Sequence, residues 1–84
     1  SLKLLQKVKD VLDERGYSIC NIDSTVIAQE PKLRPYIDTM RQNIAEALKI
    51  DVSQVSVKAT TEEHLGFTGR KEGIAAQAIV LIDF

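Results

Sequence analysis

Between Gln54 and Ala59 the chain alternates without interruption: Val55, Val57 and Ala59 take one side, and Gln54, Ser56 and Lys58 take the other. Only a β-strand has a period of two, so this segment is expected to be a strand with one face on a core and one toward water. A lone strand cannot satisfy its own main-chain hydrogen bonds, and a half-apolar one needs something to lie on it. The rest of the chain must therefore supply a sheet and a covering layer.

Two segments have helical periodicity and can be that layer. Leu4, Val8, Val11 and Leu12 recur on one stripe, widened by Leu5, while Lys3, Lys7, Lys9, Asp10, Asp13 and Glu14 fall largely elsewhere. Gly16 stands where such a helix would end through a left-handed residue, and Arg15 before it suits the negative end of the helix dipole. A proline-marked loop, Gln29 to Pro35, precedes a second stripe of Ile37, Met40, Ile44, Ala47 and Leu48. Pro35 suits the first turn of that helix.

Two further segments are β-prone. Tyr17 to Ala28 is rich in Ile, Val, Thr and Tyr, but its apolar phase slips between Ile19 and Ile22, which calls for a bulge or a strand buried on both faces. Ile74 to Phe84 would suit a buried helix through Ala75, Ala76 and Ala78, yet the β-branched Ile79, Val80 and Ile82 favour a strand. The order helix, strand, helix, strand, strand predicts an α+β fold, one domain over residues 1–84, with helices on one face of a small mixed sheet. The other face of the sheet needs cover from outside these residues.

Size and charge narrow the possibilities. With 84 residues the core is small, so help from a partner is expected. The balance of 11 basic against 12 acidic residues produces no field to recruit nucleic acid or anionic lipid, so any anion site must be local. No apolar run reaches the roughly 20 residues of a membrane span, and no membrane partner is expected. Cys20 is alone and cannot close an internal disulfide, so it is expected to pack in its strand, in a reducing, soluble compartment. Ser1 leads straight into the first helical stripe with no initiator methionine and no preceding strand, which suggests an interior cut through a longer polypeptide.

The run Lys58 to Gly66 carries the chemistry-bearing residues. Thr60 and Glu63 have the spacing of a capping box at the start of a short helix ended by Gly66. Free N–H groups and threonine hydroxyls at such a turn could hold a diphosphate without a basic cluster. The same spacing equally describes a capped helix with no ligand. Gly66-Phe67-Thr68-Gly69 also matches the bare GXXG of KH RNA-binding modules, although a KH loop should join two helices beside a basic groove. A Walker-type loop is excluded by the glycine spacing.

The run VKATTEEHLGFTGRKEGIA, Val57 to Ala75, resembles the signature V-K-A-T-T-x-E-x-L-G-F-x-G-R-x-E-G-I-A of the 2-C-methyl-D-erythritol 2,4-cyclodiphosphate synthase family. Upstream, NIDSTVIAQEPKL, Asn21 to Leu33, resembles that family's N-x-D-x-T-I-I-A-Q-x-P-K-L at a matching distance, so the likeness covers essentially the whole chain. The resemblance implies the carboxy-terminal half of a homotrimeric isoprenoid-pathway enzyme, a phosphorus-oxygen lyase of the bacterial cytoplasm or a plastid-type organelle. It would convert 4-diphosphocytidyl-2-C-methyl-D-erythritol 2-phosphate to the cyclic diphosphate and release CMP, at sites between adjacent subunits.

By the same resemblance, Ala28, Gln29, Glu30, Pro31, Lys32, Leu33 and Arg34 line the cytidine pocket. Thr60, Thr61, Glu62, Glu63, Phe67 and Arg70 face the phosphates and the methylerythritol end, with Thr61 stabilising the transition state. Glu63 holds a magnesium or manganese ion with the diphosphate, and Glu72 partners Arg70 around the three-fold axis. The family also binds zinc through an aspartate and two histidines of the amino-terminal half, positions that this chain does not include. His64, the one histidine, has only Glu62 and Glu63 beside it and is expected at the surface. These 84 residues alone are therefore expected to be inactive. The contrasting expectation is a trimeric interaction domain of the same fold that has no catalysis.

Overall fold

The computed structural model describes residues 1–84. Helix α1 (Leu2–Glu14) leads into strand β1 (Ser18–Ile27), helix α2 (Ile37–Leu48), strand β2 (Val55–Thr60), the four-residue helix α3 (Gly66–Gly69) and strand β3 (Ala75–Asp83). The sheet order is β2-β1-β3, with β1 parallel to β2 and antiparallel to β3, which is the mixed sheet expected. The closing segment is thus a strand, as its β-branched residues predict.

Local chemistry sets the ends of these elements. Gly16, at φ +76°, closes α1. Its N–H donates to the Asp13 carbonyl and that of Tyr17 to the Leu12 carbonyl, the paired bonds that satisfy a helix's last acceptors. Helix α2 ends the same way at Lys49, φ +55°, with Ile50 N–H on the Ala45 carbonyl. Pro35 sits in a 3-10 turn, Arg34–Tyr36, that runs directly into α2.

The phase slip in β1 is a bulge. The ladder to β3 shifts register between Ile19 and Asn21, so Cys20 is the extra residue. Ile19 and Ile22 are three apart and would point to opposite faces of a regular strand. With the bulge between them both are buried in one cluster with Leu48, against Leu5, Leu12, Ile44 and Ile50. Gln54 stitches the irregularity: its Nε2 donates to the carbonyls of Ile19 (3.1 Å) and Cys20 (2.9 Å). Its Oε1 accepts from the Asp51 N–H, closing a capping box on the 3-10 turn Val52–Gln54.

A second cluster, Ala45, Val55 and Val57, packs α2 onto β2 with Val26, Ile37 and Met40 around it. Arg41 fastens the same junction, donating to the carbonyls of Val55 (2.8 Å) and Val52 (3.1 Å). Both long helices therefore cover one face of the sheet. Across β1 and β2 the opposite face is polar, with Lys58 and Asp23 paired at 2.9 Å. Strand β3 is open along nearly its whole length: Val80 and Ile82, in register with core positions, are 45% and 40% exposed, and Ile79 is 77% exposed. Leu4, Val8 and Val11 of α1 are also exposed. No helix is long and apolar enough to cross a membrane.

Candidate functional site

The two parallel strands end together, Ile27 of β1 opposite Thr60 of β2, and the chain then leaves them in different directions. Crevices outside the carboxyl ends of parallel strands are where open α/β sheets take ligands. Here a cleft of about 190 Å³ lies at that point, walled by Ala28, Pro31, Lys32, Leu33 and Arg34 on one side and by Ala59, Thr60 and Thr61 on the other. The Ala28 N–H donates to the Thr60 carbonyl at 3.1 Å and joins the two walls at their base. The Glu30–Pro31 peptide bond in the first wall is cis. A wider groove of about 450 Å³ continues from Arg34 and Ala59 along Ile37, Asp38, Val57 and Lys58.

Two cations, Lys32 and Arg34, thus face two threonines across a small opening, a local anion-binding set in a chain whose net charge is −1. Thr60 and Thr61 are exposed. The Thr60 hydroxyl donates to the Thr61 carbonyl at 3.3 Å, whereas Thr61 Oγ1 accepts from the Glu63 N–H at 3.3 Å. The hydroxyl hydrogen of Thr61 is consequently the one left to donate to a ligand.

The segment after β2 departs from the expected capping box. No helix forms over residues 61–65; Gly66 begins α3 rather than ending a helix. Glu63 and His64 take φ of +52° and +69°, and the Leu65 N–H closes the turn on the Glu62 carbonyl at 2.9 Å. Two consecutive left-handed residues make a tight turn and cannot continue a right-handed helix. The amides of Glu63, His64 and Leu65 are consumed by Thr61 Oγ1, Gln29 Oε1 and the Glu62 carbonyl. At these three positions the free helix N–H groups expected from the sequence are absent. Glu63 does not cap a helix, which leaves its exposed carboxylate to other partners.

Gln29 and Glu30 lie off the cleft wall. Gln29 accepts from the His64 N–H at 3.1 Å, and Glu30 pairs with Lys71 at 3.2 Å. Glu62, Glu63, Phe67 and Arg70 also lie outside the cleft lining. Arg70 and Glu72 pair within the chain, at 2.8 Å, as an exposed couple worth at most about 1 kcal/mol. Phe67 is half-exposed, with its ring against Gly73. The GXXG run is helix α3 itself and not a loop between two helices, which removes the basis of the KH comparison. Ala59 was not singled out as a site residue from the sequence; its place on the apolar side of the alternating strand, directly before Thr60, was the available signal.

The donor set fits one of the two implied metals. No three His, Cys, Asp or Glu side chains gather closely enough to hold an ion. A zinc site of three protein ligands therefore does not fit within these residues. Magnesium, which keeps most of its waters and shares phosphate oxygens, needs only one or two carboxylates, and the exposed Glu63, whose N–H bonds the cleft-lining Thr61, fits that requirement.

The family model described as YgbB family matches residues 1–83. A Bacillus velezensis protein named 2-C-methyl-D-erythritol 2,4-cyclodiphosphate synthase is 66% identical over 82 residues, covering 98% of this chain and 52% of its own length. The crystal structure of the Plasmodium vivax protein of that name superposes with a TM-score of 0.94 at 40% identity, covering 98% of this chain and 55% of the other. A Plasmodium falciparum IspF in complex with CDP superposes with a TM-score of 0.89 at 36% identity, covering 96% and 51%. The chain spans about half the length of the curated relatives it matches.

Proposed function

The chain belongs to the YgbB family, and we propose that the polypeptide carrying it is a 2-C-methyl-D-erythritol 2,4-cyclodiphosphate synthase that binds its cytidine diphosphate substrate at the cleft between Ala28–Arg34 and Ala59–Thr61. The observation that carries this reading is the meeting of the two motif blocks, far apart in sequence, at the carboxyl ends of β1 and β2. The CDP complex of the Plasmodium falciparum relative supports a cytidine nucleotide as the ligand class.

In the reaction an oxygen of the 2-phosphate attacks the β-phosphorus, a new P–O bond closes the ring, and the bond from the β-phosphorus to the bridging oxygen breaks to release CMP. Charge spreads over phosphoryl oxygens during the transfer, so oriented donors and positioning supply the catalysis and no protein nucleophile is needed. Lys32 and Arg34 neutralise the nucleotide's phosphates, and the Thr61 hydroxyl donates to the β-phosphoryl oxygens as their charge grows. Main-chain groups of the 28–34 loop are placed to read the edge of the base. Glu63 would hold magnesium or manganese, which when bound screens the diphosphate charge. Zinc would need ligands from beyond this chain.

The uncovered β3 and α1 faces support assembly into a homotrimer with sites between subunits, completed by the rest of the polypeptide. A cytoplasmic or plastid-type setting follows from the activity. The test uses the full-length polypeptide. Lys32→Ala should weaken CMP binding about tenfold by calorimetry, and Thr61→Val should lower cyclic diphosphate formation about a hundredfold with CMP affinity near wild type. Indifference of both measurements to both changes would remove the assignment.

A further inference from the structure

Gln29 stands in the middle of the loop that walls the cleft, yet its side chain turns away from the cleft, toward the Glu62–Leu65 turn. It is half-buried, and its Oε1 accepts the His64 N–H at 3.1 Å. On the other side the main chain of His64 lies so close to Gly69 that a Cβ there would be 2.3 Å from the His64 carbonyl carbon. The His64 backbone is thus clamped between the Gln29 amide and α3.

That clamp reaches the chemistry in two steps. Glu63 and His64 are non-glycine residues in the left-handed region, a pair of conformations that persists only where surrounding contacts over-determine it. The turn so held sets where the Glu63 N–H points, and that N–H is the partner of Thr61 Oγ1 at 3.3 Å. We propose that Gln29 is a positioning residue: by holding the His64 amide it fixes the turn that orients the Thr61 hydroxyl and the Glu63 carboxylate toward a bound nucleoside diphosphate. The proposal rests on the nucleotide reading of the cleft given above. The neighbouring Glu30–Lys71 pair cannot do this work alone, since both side chains are more than half exposed and such pairs contribute little.

The consequence is a split between two ligands. CMP presents the base, the ribose and one phosphate, and depends on the wall of Ala28 and Pro31–Arg34, which the Gln29 side chain does not line, whereas CDP adds the phosphate that meets Thr61 and Glu63. In the full-length polypeptide, Gln29→Met keeps length and apolar bulk but has no acceptor, and Gln29→Glu keeps the acceptor. Calorimetry with Gln29→Met should find CMP affinity within about twofold of wild type and CDP affinity about tenfold weaker, the loss of one charge-assisted contact. The His64 amide, followed by hydrogen exchange, should lose protection in Gln29→Met. Gln29→Glu should recover that protection and most of the preference for CDP. Equal weakening of CMP and CDP, an unchanged CDP preference in Gln29→Met, or failure of Gln29→Glu to recover either readout overturns the proposal. If the wild-type polypeptide binds neither nucleotide, the nucleotide reading fails on its own, and a His64 amide as protected in Gln29→Met as in wild type then overturns the tether as well.

Discussion

Gly69 is the position where a single methyl group should have the largest effect on the site. A Cβ there would sit 2.3 Å from the carbonyl carbon of His64, 2.7 Å from its Cα and 3.0 Å from its oxygen, where ordinary contact begins near 3.4 Å. The two segments would have to part by about 1 Å, and both sides of the contact are backbone, so no side chain can swing away. Overpacking of this kind costs about 3 kcal/mol at the upper end of its usual range. Alanine's better helix propensity at the end of α3 returns up to about 1 kcal/mol. A net loss of about 2 kcal/mol is expected for Gly69→Ala in the full-length polypeptide, measured by urea denaturation. Because the displaced residue is His64, the same variant should also lose protection at that amide and weaken CDP binding. Gly16→Ala is the control: its added methyl meets nothing within 4 Å, and it should cost only the strain of a left-handed alanine, about 1 kcal/mol, with nucleotide binding unchanged. A Gly69→Ala protein as stable as wild type, with its His64 amide still protected, would refute the close-packing argument.

Gln54→Met removes the donors to the Ile19 and Cys20 carbonyls and the acceptor for the Asp51 N–H, and should cost about 1–3 kcal/mol; a change under about 0.5 kcal/mol in denaturant titration would mean that water replaces all three bonds equally well. The Asp51 carboxyl is held below its ordinary value of 3.8, first by the Ser53 backbone N–H and then by its side-chain hydrogen bond to Ser53. A carboxyl depressed on folding adds stability that is present in full above its unfolded value and is lost as pH falls through its folded value. Asp51→Asn keeps a capping oxygen but cannot titrate, so the stability difference between wild type and this variant should shrink as pH is taken below 3.8. A difference independent of pH across that range would contradict the assignment.

The elements were legible because each is specified by its own residues. The alternation at Val55–Ala59 required a strand, the stripes through Leu4–Leu12 and Ile37–Leu48 required helices, and Gly16 marked a helix end that the structure reproduces. The slip between Ile19 and Ile22 demanded a bulge or a doubly buried strand, and the bulge is what forms at Cys20. The segment after Thr60 was not legible in the same way. Its Thr-x-x-Glu spacing suits a capped helix, but helix and tight turn are close in local energy there, and contacts from distant residues decide between them. Gln29 takes the His64 amide, and Gly69 admits the His64 backbone at a distance no side chain would allow.

The candidate site divides along the same line. Sequence by itself determined which residue types are on offer for a phosphate ligand: Lys32, Arg34, Thr60, Thr61 and Glu63 are cations, hydroxyls and a carboxylate, in runs dense enough to mark a family. Only the tertiary structure decided which of them share a cleft, and it sent Gln29 to hold the turn while Lys32 and Arg34 came to face the threonines. The physical reason is range. Periodicity and turn chemistry act over a few residues, whereas the direction a loop side chain takes depends on which acceptor or donor the folded sheet brings beside it, and that partner lies 35 positions away in the chain.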